Sequence, residues 1–143
     1  VVDHLHMLVS AVHEGDERRA IDSIMTRLRS LVEETGAGLI LVSHLRRVDG
    51  NKGHENGVEV SLSHLRGSNS IGQLSDCVIA LERNQQSDDP EEARTTRLRI
   101  LKSRYTGDVG MATALIYDKE TGRLSEHLDT EFSMAENQTS IAF

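Results

Sequence analysis

Gly38-Leu39-Ile40-Leu41-Val42-Ser43-His44-Leu45-Arg46-Arg47 is a short apolar run, opened by glycine, that ends in a histidine and two arginines. Its length and its flanking glycine suit a central parallel strand rather than a helix. In an open α/β sheet the carboxyl end of such a strand faces the ligand crevice. A histidine there, with cations just beyond, is placed to sense phosphate and to pass its state to a loop that meets nucleic acid. A strand that ends in an ordinary surface loop is the plainer alternative, and the neighbouring stretches bear on the choice.

Upstream, Ile21, Ile24, Met25, Leu28, Leu31 and Val32 recur at spacings of three and four, with Asp16 and Glu17 in the first turn and Gly36 just beyond. This spacing predicts an amphipathic helix over Asp16 to Glu34. Before it, Val1-Val2-Asp3 reads as the end of a buried strand with an acid at its carboxyl end. Strand, crossover helix and strand make one βαβ unit.

Downstream, Asp49 to Gly57, with three glycines and two asparagines, reads as a mobile loop. Leu62 to Asp76 reads as a short helical connection interrupted at Gly67, and Cys77 to Leu81 as another buried strand. A polar loop from Glu82 to Glu92 holds the only proline, Pro90. Thr95 to Ser103 and Met111 to Tyr117 read as strands around a glycine-containing turn, and Asp118 to Gly122 turns into Arg123-Leu124-Ser125. The expected fold is α/β, with a mixed, mainly parallel sheet, antiparallel C-terminal strands and one domain over residues 1–125. From Glu126 to Phe143 there is no apolar period, so 126–143 is expected to be a flexible acidic tail.

A chain of 143 residues, 37 % hydrophobic, fits a single domain with a modest core. Val1-Val2 looks like a strand already in progress, so the chain reads as the C-terminal piece of a longer protein. No apolar stretch approaches membrane-spanning length and no leader is evident, which points to a soluble, cytoplasmic protein. The lone cysteine, Cys77, lies in an apolar strand and reads as a small core residue, so metal-cluster and redox readings drop out. A net charge of −7 argues against a generally basic nucleic-acid binder. Arg46, Arg47, Lys52 and Arg66 can still form a local phosphate-binding surface.

Seven stretches in order carry a resemblance: Val1-Val2-Asp3-His4; Val42-Ser43-His44-Leu45-Arg46; Leu65-Arg66-Gly67-Ser68; Gln73-Leu74-Ser75-Asp76; Ile79-Ala80-Leu81-Glu82-Arg83-Asn84-Gln85; Arg99 to Asp108; and Tyr117 to Gly122. Together they resemble the helicase half of phage bifunctional primase-helicases, which are DnaB-like ring helicases with RecA-like cores. The resemblance covers nearly the whole chain. It implies a nucleoside-triphosphate-driven DNA helicase in a hexameric ring, translocating 5′ to 3′ on single-stranded DNA and fused to a primase. It further implies ATP or dTTP as substrate and a phage protein at work in the cytoplasm of a bacterial host.

By the same resemblance Asp3 is the acid that orients the water shell of Mg²⁺ on the β- and γ-phosphates, which suits a hard cation and a carboxylate. His44 then contacts the γ-phosphate. Arg46, Arg47 and Lys52 belong to a channel-facing loop that grips the DNA backbone, and Arg66, Gly67 and Ser68 to a second such segment. Gln73 couples that segment to the nucleotide. Lys102 and Arg104, two apart in an extended segment, are expected to share a face and to present two cations to one phosphate, and by the resemblance the arginine is the finger that reaches a neighbouring subunit's triphosphate. Arg83 and Tyr117 match positions that hold the base. The tail ending in Phe143 resembles in outline those that dock on a DNA polymerase.

The chain departs from the pattern at Gly50 and Gly72, where relatives can carry a lysine and an arginine. Arg97 and Arg99 read as charges that keep an edge strand soluble. No Gly-x-x-x-x-Gly-Lys-Ser/Thr loop is present, so the phosphate-cradling half of the site is expected upstream and the fragment alone is expected to be inactive. Two alternatives stay open. One is a RecA-type recombinase or other DNA-binding ATPase of this fold, and the other is a non-catalytic adaptor module.

Overall fold

The computed structural model describes residues 1–10, 16–48 and 53–127. Helix α1 (Leu5–Ser10) begins directly after Asp3-His4. Helix α2 (Glu17–Thr35) follows with the ends the sequence dictates. Asp16 is the N-cap, its carboxylate accepting from the backbone N–H groups of Arg18 and Arg19 at 3.1 and 3.4 Å. Gly36 closes the helix in the left-handed region at φ 66°, donating its N–H to Val32 O.

The apolar stripe of α2 buries Ala20, Ile21, Ile24 and Met25 against Leu5 and Val9 of α1 and Ile71 of α3 (Ser70–Leu74). Leu8, Leu28, Leu41, Leu65 and Leu74 pack around this cluster. The stripe stops there, and Leu31 is half exposed.

The sheet is an antiparallel meander in the order β1 (Cys77–Glu82), β2 (Thr95–Ser103), β3 (Gly110–Tyr117), β4 (Leu124–His127). The C-terminal hairpins thus follow the sequence reading, whereas the mainly parallel sheet does not. Among the described residues, parallel pairing is confined to one bridge, Val2 to Leu41, with Val2 N donating to Ile40 O at 2.8 Å and Val42 N to Val2 O at 2.9 Å. The pairing stops where the chain turns into α1 directly after His4, with Leu5 N taking Val42 O in place of a further ladder bond, and Ile40 stays 66 % exposed.

Strand β1 also departs from expectation. It alternates, with Ala80 and Glu82 buried while Ile79 and Leu81 are exposed. Cys77 lies on the exposed set, so it is not a core residue. As the edge strand of a meander, β1 has only one face covered by described elements, and its period of two sends every second side chain outward.

The connection after Ser61 is broken as anticipated, with a 3-10 turn at Leu62–His64, a bend through Gly67, and then α3. Gly67 is required there. Its φ is 109°, and a Cβ on it would collide with Ile21 Cδ1.

Arg99 is not a solubilising edge charge either. Its Nε donates to Glu82 at 2.9 Å and its Nη1 lies 3.1 Å from Glu59, with the Arg99 side chain 18 % exposed and that of Glu82 5 %. Glu82 also accepts from Val60 N–H at 2.8 Å, so its charge is compensated on both sides. The acidic tail lies outside the described residues, apart from Glu126 and His127 in β4.

Candidate nucleotide and DNA site

The Val2–Leu41 bridge decides what meets beyond it. In a parallel pair the chains leave in the same direction, so residues just past the bridge on each strand become neighbours. Asp3 and His4 follow one strand and Ser43 and His44 the other. Leu5 N donates to Val42 O at 2.9 Å and holds the two exits together. The His4 and His44 rings stand 4.0 Å apart between centroids, and His6, on the first turn of α1, stacks on His44 at 5.7 Å and 15°. Asp3 is exposed at the rim.

Charges from other elements face this cluster. Glu17 Oε1 lies 3.3 Å from His6 Nε2 and 3.7 Å from Arg66 Nη2. Burial pulls His6 below the ordinary histidine pKa, the Arg66 guanidinium adds to this, and Glu17 opposes it.

His44 is also tied to both segments that bear the expected DNA contacts. Leu45 pairs antiparallel with Leu65. Arg66 N donates to His44 O at 3.0 Å, Arg46 N to His64 O at 2.8 Å, and Arg46 Nε to Ser63 O at 2.8 Å. Arg46 and Arg47 are exposed. Lys52 and Gly50 lie outside the described residues. Ser68 is turned inward, buried, with its hydroxyl donating to Asp22 of α2 and accepting from Ser70 N at 3.1 Å.

A second constellation forms at the start of β1. Lys102 Nζ donates to Gly72 O at 2.7 Å and Gln73 O at 3.1 Å, and Arg104 Nη2 donates to the same Gln73 carbonyl at 3.1 Å. Asp76 receives Arg104 at 2.9 Å on one oxygen and Arg29 of α2 at 2.7 Å on the other. The Gln73, Lys102 and Arg104 singled out in the sequence are therefore brought together.

Arg83 and Tyr117 are not part of it. Arg83 follows the far end of β1, roughly 20 Å along a six-residue strand from Cys77. Its Nε donates to Ala93 O at 2.7 Å. It lines an open groove of about 500 Å³ with Gln85, Pro90, Ala93, Arg94 and Lys119, which follows Tyr117 by two positions. Tyr117 is half-buried on β3.

Sequence reasoning passed over His6, Arg29 and Asp76 as site residues, and took His4 only as part of a motif. The available signal was topological. Once Val2 and Leu41 pair, histidines two and three residues beyond must converge, although forty residues separate them in the chain.

No helix of the described residues is long and apolar enough to cross a membrane. Residues 1–126 match the DnaB-like helicase C terminal domain. A DNA helicase/primase of Enterobacteria phage T3 is 47 % identical over 124 residues, which make up 87 % of this chain and 21 % of that protein. The chain thus spans about a fifth of the length of that relative. On the match over residues 1–126, and with the identity to the phage relative beside it, the chain belongs to the DnaB-like helicase C-terminal domain family.

Proposed function

We propose that this chain is the sensing and DNA-gripping part of a replicative DNA helicase that hydrolyses ATP or dTTP and moves 5′ to 3′ along single-stranded DNA. The observation that carries the reading is the hydrogen-bonded pairing of residues 44–46 with 64–66. It makes His44, Arg46 and Arg66 one mechanical unit. A change at the strand end is transmitted to both cationic segments through two backbone bonds rather than through a flexible loop.

In this reading Asp3 holds Mg²⁺ through water, an exposed carboxylate being a suitable oxygen donor for that ion. Bound Mg²⁺ neutralises charge on the β- and γ-phosphates. His44 donates to a γ-phosphate oxygen and relaxes when that group leaves. Arg46, Arg47, Lys52, Arg66 and the backbone of Gly67-Ser68 hold DNA phosphates, without regard to sequence. Gln73 links that grip to Lys102 and Arg104, which serve the nucleotide of the next subunit in a hexameric ring. Separation of the Arg83 groove from Arg104 by the length of β1 supports a division of labour, in which one end of the sheet holds a base and the other addresses a neighbour. Fusion to a primase and docking of the Phe143 tail on a polymerase complete the proposal.

The test is nucleotide-gated DNA binding by the full-length protein. Wild type is expected to hold single-stranded DNA more tightly with a non-hydrolysable triphosphate than with a diphosphate, and His44→Ala to lose that difference. A difference that survives the substitution refutes the sensor role. Strand displacement on a forked duplex separates a helicase from a recombinase, which forms filaments instead.

A further inference from the structure

Three imidazoles meet beyond the Val2–Leu41 bridge, and the helicase reading uses only one of them. We propose that His4, His6 and His44 form a binding site for a divalent transition-metal ion of the zinc class, each ring giving one nitrogen. Their ligand atoms all lie within 4.8 Å of one another. His4 Nδ1 and both ring nitrogens of His6 are buried without a hydrogen-bond partner, a costly state for a ring nitrogen that a metal relieves.

The geometry is close to what such an ion requires. Zinc–nitrogen bonds of about 2.0–2.1 Å in a tetrahedral site set the nitrogens roughly 3.3 Å apart. The remaining closure, roughly 1.5 Å at most, is available from the exposed His44 ring, whereas His4 and His6 are half-buried. Glu17 Oε1 stands 3.3 Å from His6 Nε2, a carboxylate of the kind that ligating histidines commonly engage through the nitrogen that does not hold the ion. Arg66 is the one cation paired with that carboxylate among the described residues, and Asp3 adjoins His4 in the chain.

Three nitrogen donors select zinc, cobalt, nickel or copper over magnesium, so the site does not compete with the Mg²⁺ assigned to Asp3. Three protein ligands also leave a fourth position open to water. An ion there tethers His44 to α1. On the reading given under Proposed function, that arrests the sensor and slows hydrolysis, whereas the binding itself does not depend on that reading.

Cobalt(II) titration into the full-length protein tests the site through its visible absorption. Wild type is expected to take up one tetrahedral equivalent, displaced by zinc, that His6→Asn lacks or binds at least tenfold more weakly. His4→Asn, which leaves α1 untouched, is the second variant, and circular dichroism checks the fold of both. Loss in either folded variant supports the site. Titrations identical to wild type in both, or no uptake by wild type, overturn it. Zinc inhibition of hydrolysis in wild type but not in His6→Asn supports the arrest. Cobalt uptake without such inhibition overturns the arrest and leaves the site standing, whereas wild type that hydrolyses no triphosphate with Mg²⁺ present and transition metals removed refutes the helicase reading alone.

Discussion

Asp76 holds Arg104 through a 2.9 Å contact between Oδ1 and Nη1, while its other oxygen is held at 2.7 Å by Arg29. The helix that builds the core therefore also orients the arginine proposed as a finger. Arg29 is kept charged, its pKa raised by Glu33 first and by Asp76 next. In the full-length protein Arg104→Ala is expected to reduce DNA-stimulated hydrolysis by about 10³-fold or more while nucleotide binding stays nearly intact. Normal turnover in that variant rules out the finger role. Asp76→Asn weakens the hold without removing the guanidinium, so a smaller loss of turnover, with binding again unchanged, is expected from steady-state kinetics.

Gly67 sits where the segment proposed to hold DNA crosses α2, and an added Cβ would meet the Ile21 side chain. Alanine there must both displace a core methyl and hold φ at 109°. A loss of about 1–3 kcal/mol is expected, read from the urea midpoint of unfolding. An unchanged midpoint means that the bend can be rebuilt without the glycine.

The parts of the fold that were legible in the sequence are those that local physics controls. Asp16, Glu17 and Gly36 bracket a stripe of period 3.6, so α2 declared its own ends. The turns at Arg104 to Gly110 and Asp118 to Gly122 likewise announced the meander. What local pattern does not encode is which face of a strand finds a partner. Cys77, Ile79 and Leu81 read as buried because they are apolar, yet nothing described covers them. Arg99 read as exposed because it is charged, yet Glu82, seventeen residues away, compensates it. The strand-end histidine, Lys102 and Arg104 stood out by residue type, but β2 ends at Ser103, so the two cations meet at the Gln73 carbonyl rather than on one strand face. The meeting of His4 and His6 with His44 was not legible, because it needs the parallel bridge to be known first.

Arg46 is exposed and its Nε is occupied by the Ser63 carbonyl, which sets the guanidinium in place for a phosphate. Each phosphate contact to a single strand contributes about 0.7 to the slope of log K against log salt. Reversing Arg46 and Lys52 to glutamate in the full-length protein is therefore expected to flatten that slope by about 1.4. A fluorescence anisotropy salt titration reads it, and a parallel line of lower affinity assigns these residues to stability instead of to the channel.

Ser68 ties the segment after Arg66 to α2 through Asp22, and that bond carries a pH signature. The Ser68 hydroxyl, followed by Ser70, holds the Asp22 carboxyl below its ordinary range, because donation to the charged form favours it. The unfolded chain, with Asp22 at its ordinary pKa, takes up the proton first as pH falls. The contribution of Asp22 to stability is thus complete above about pH 4 and is lost as pH drops through the lower, folded value. Ser68→Ala brings the two values together, so the denaturation midpoint of the variant should depend less on pH below about 4 than that of wild type. The Asp22 carboxyl resonance should titrate at higher pH in the variant. If the two proteins lose stability in parallel over that range, the hydroxyl does not hold the carboxylate in solution, and Ser68 is free to turn toward DNA.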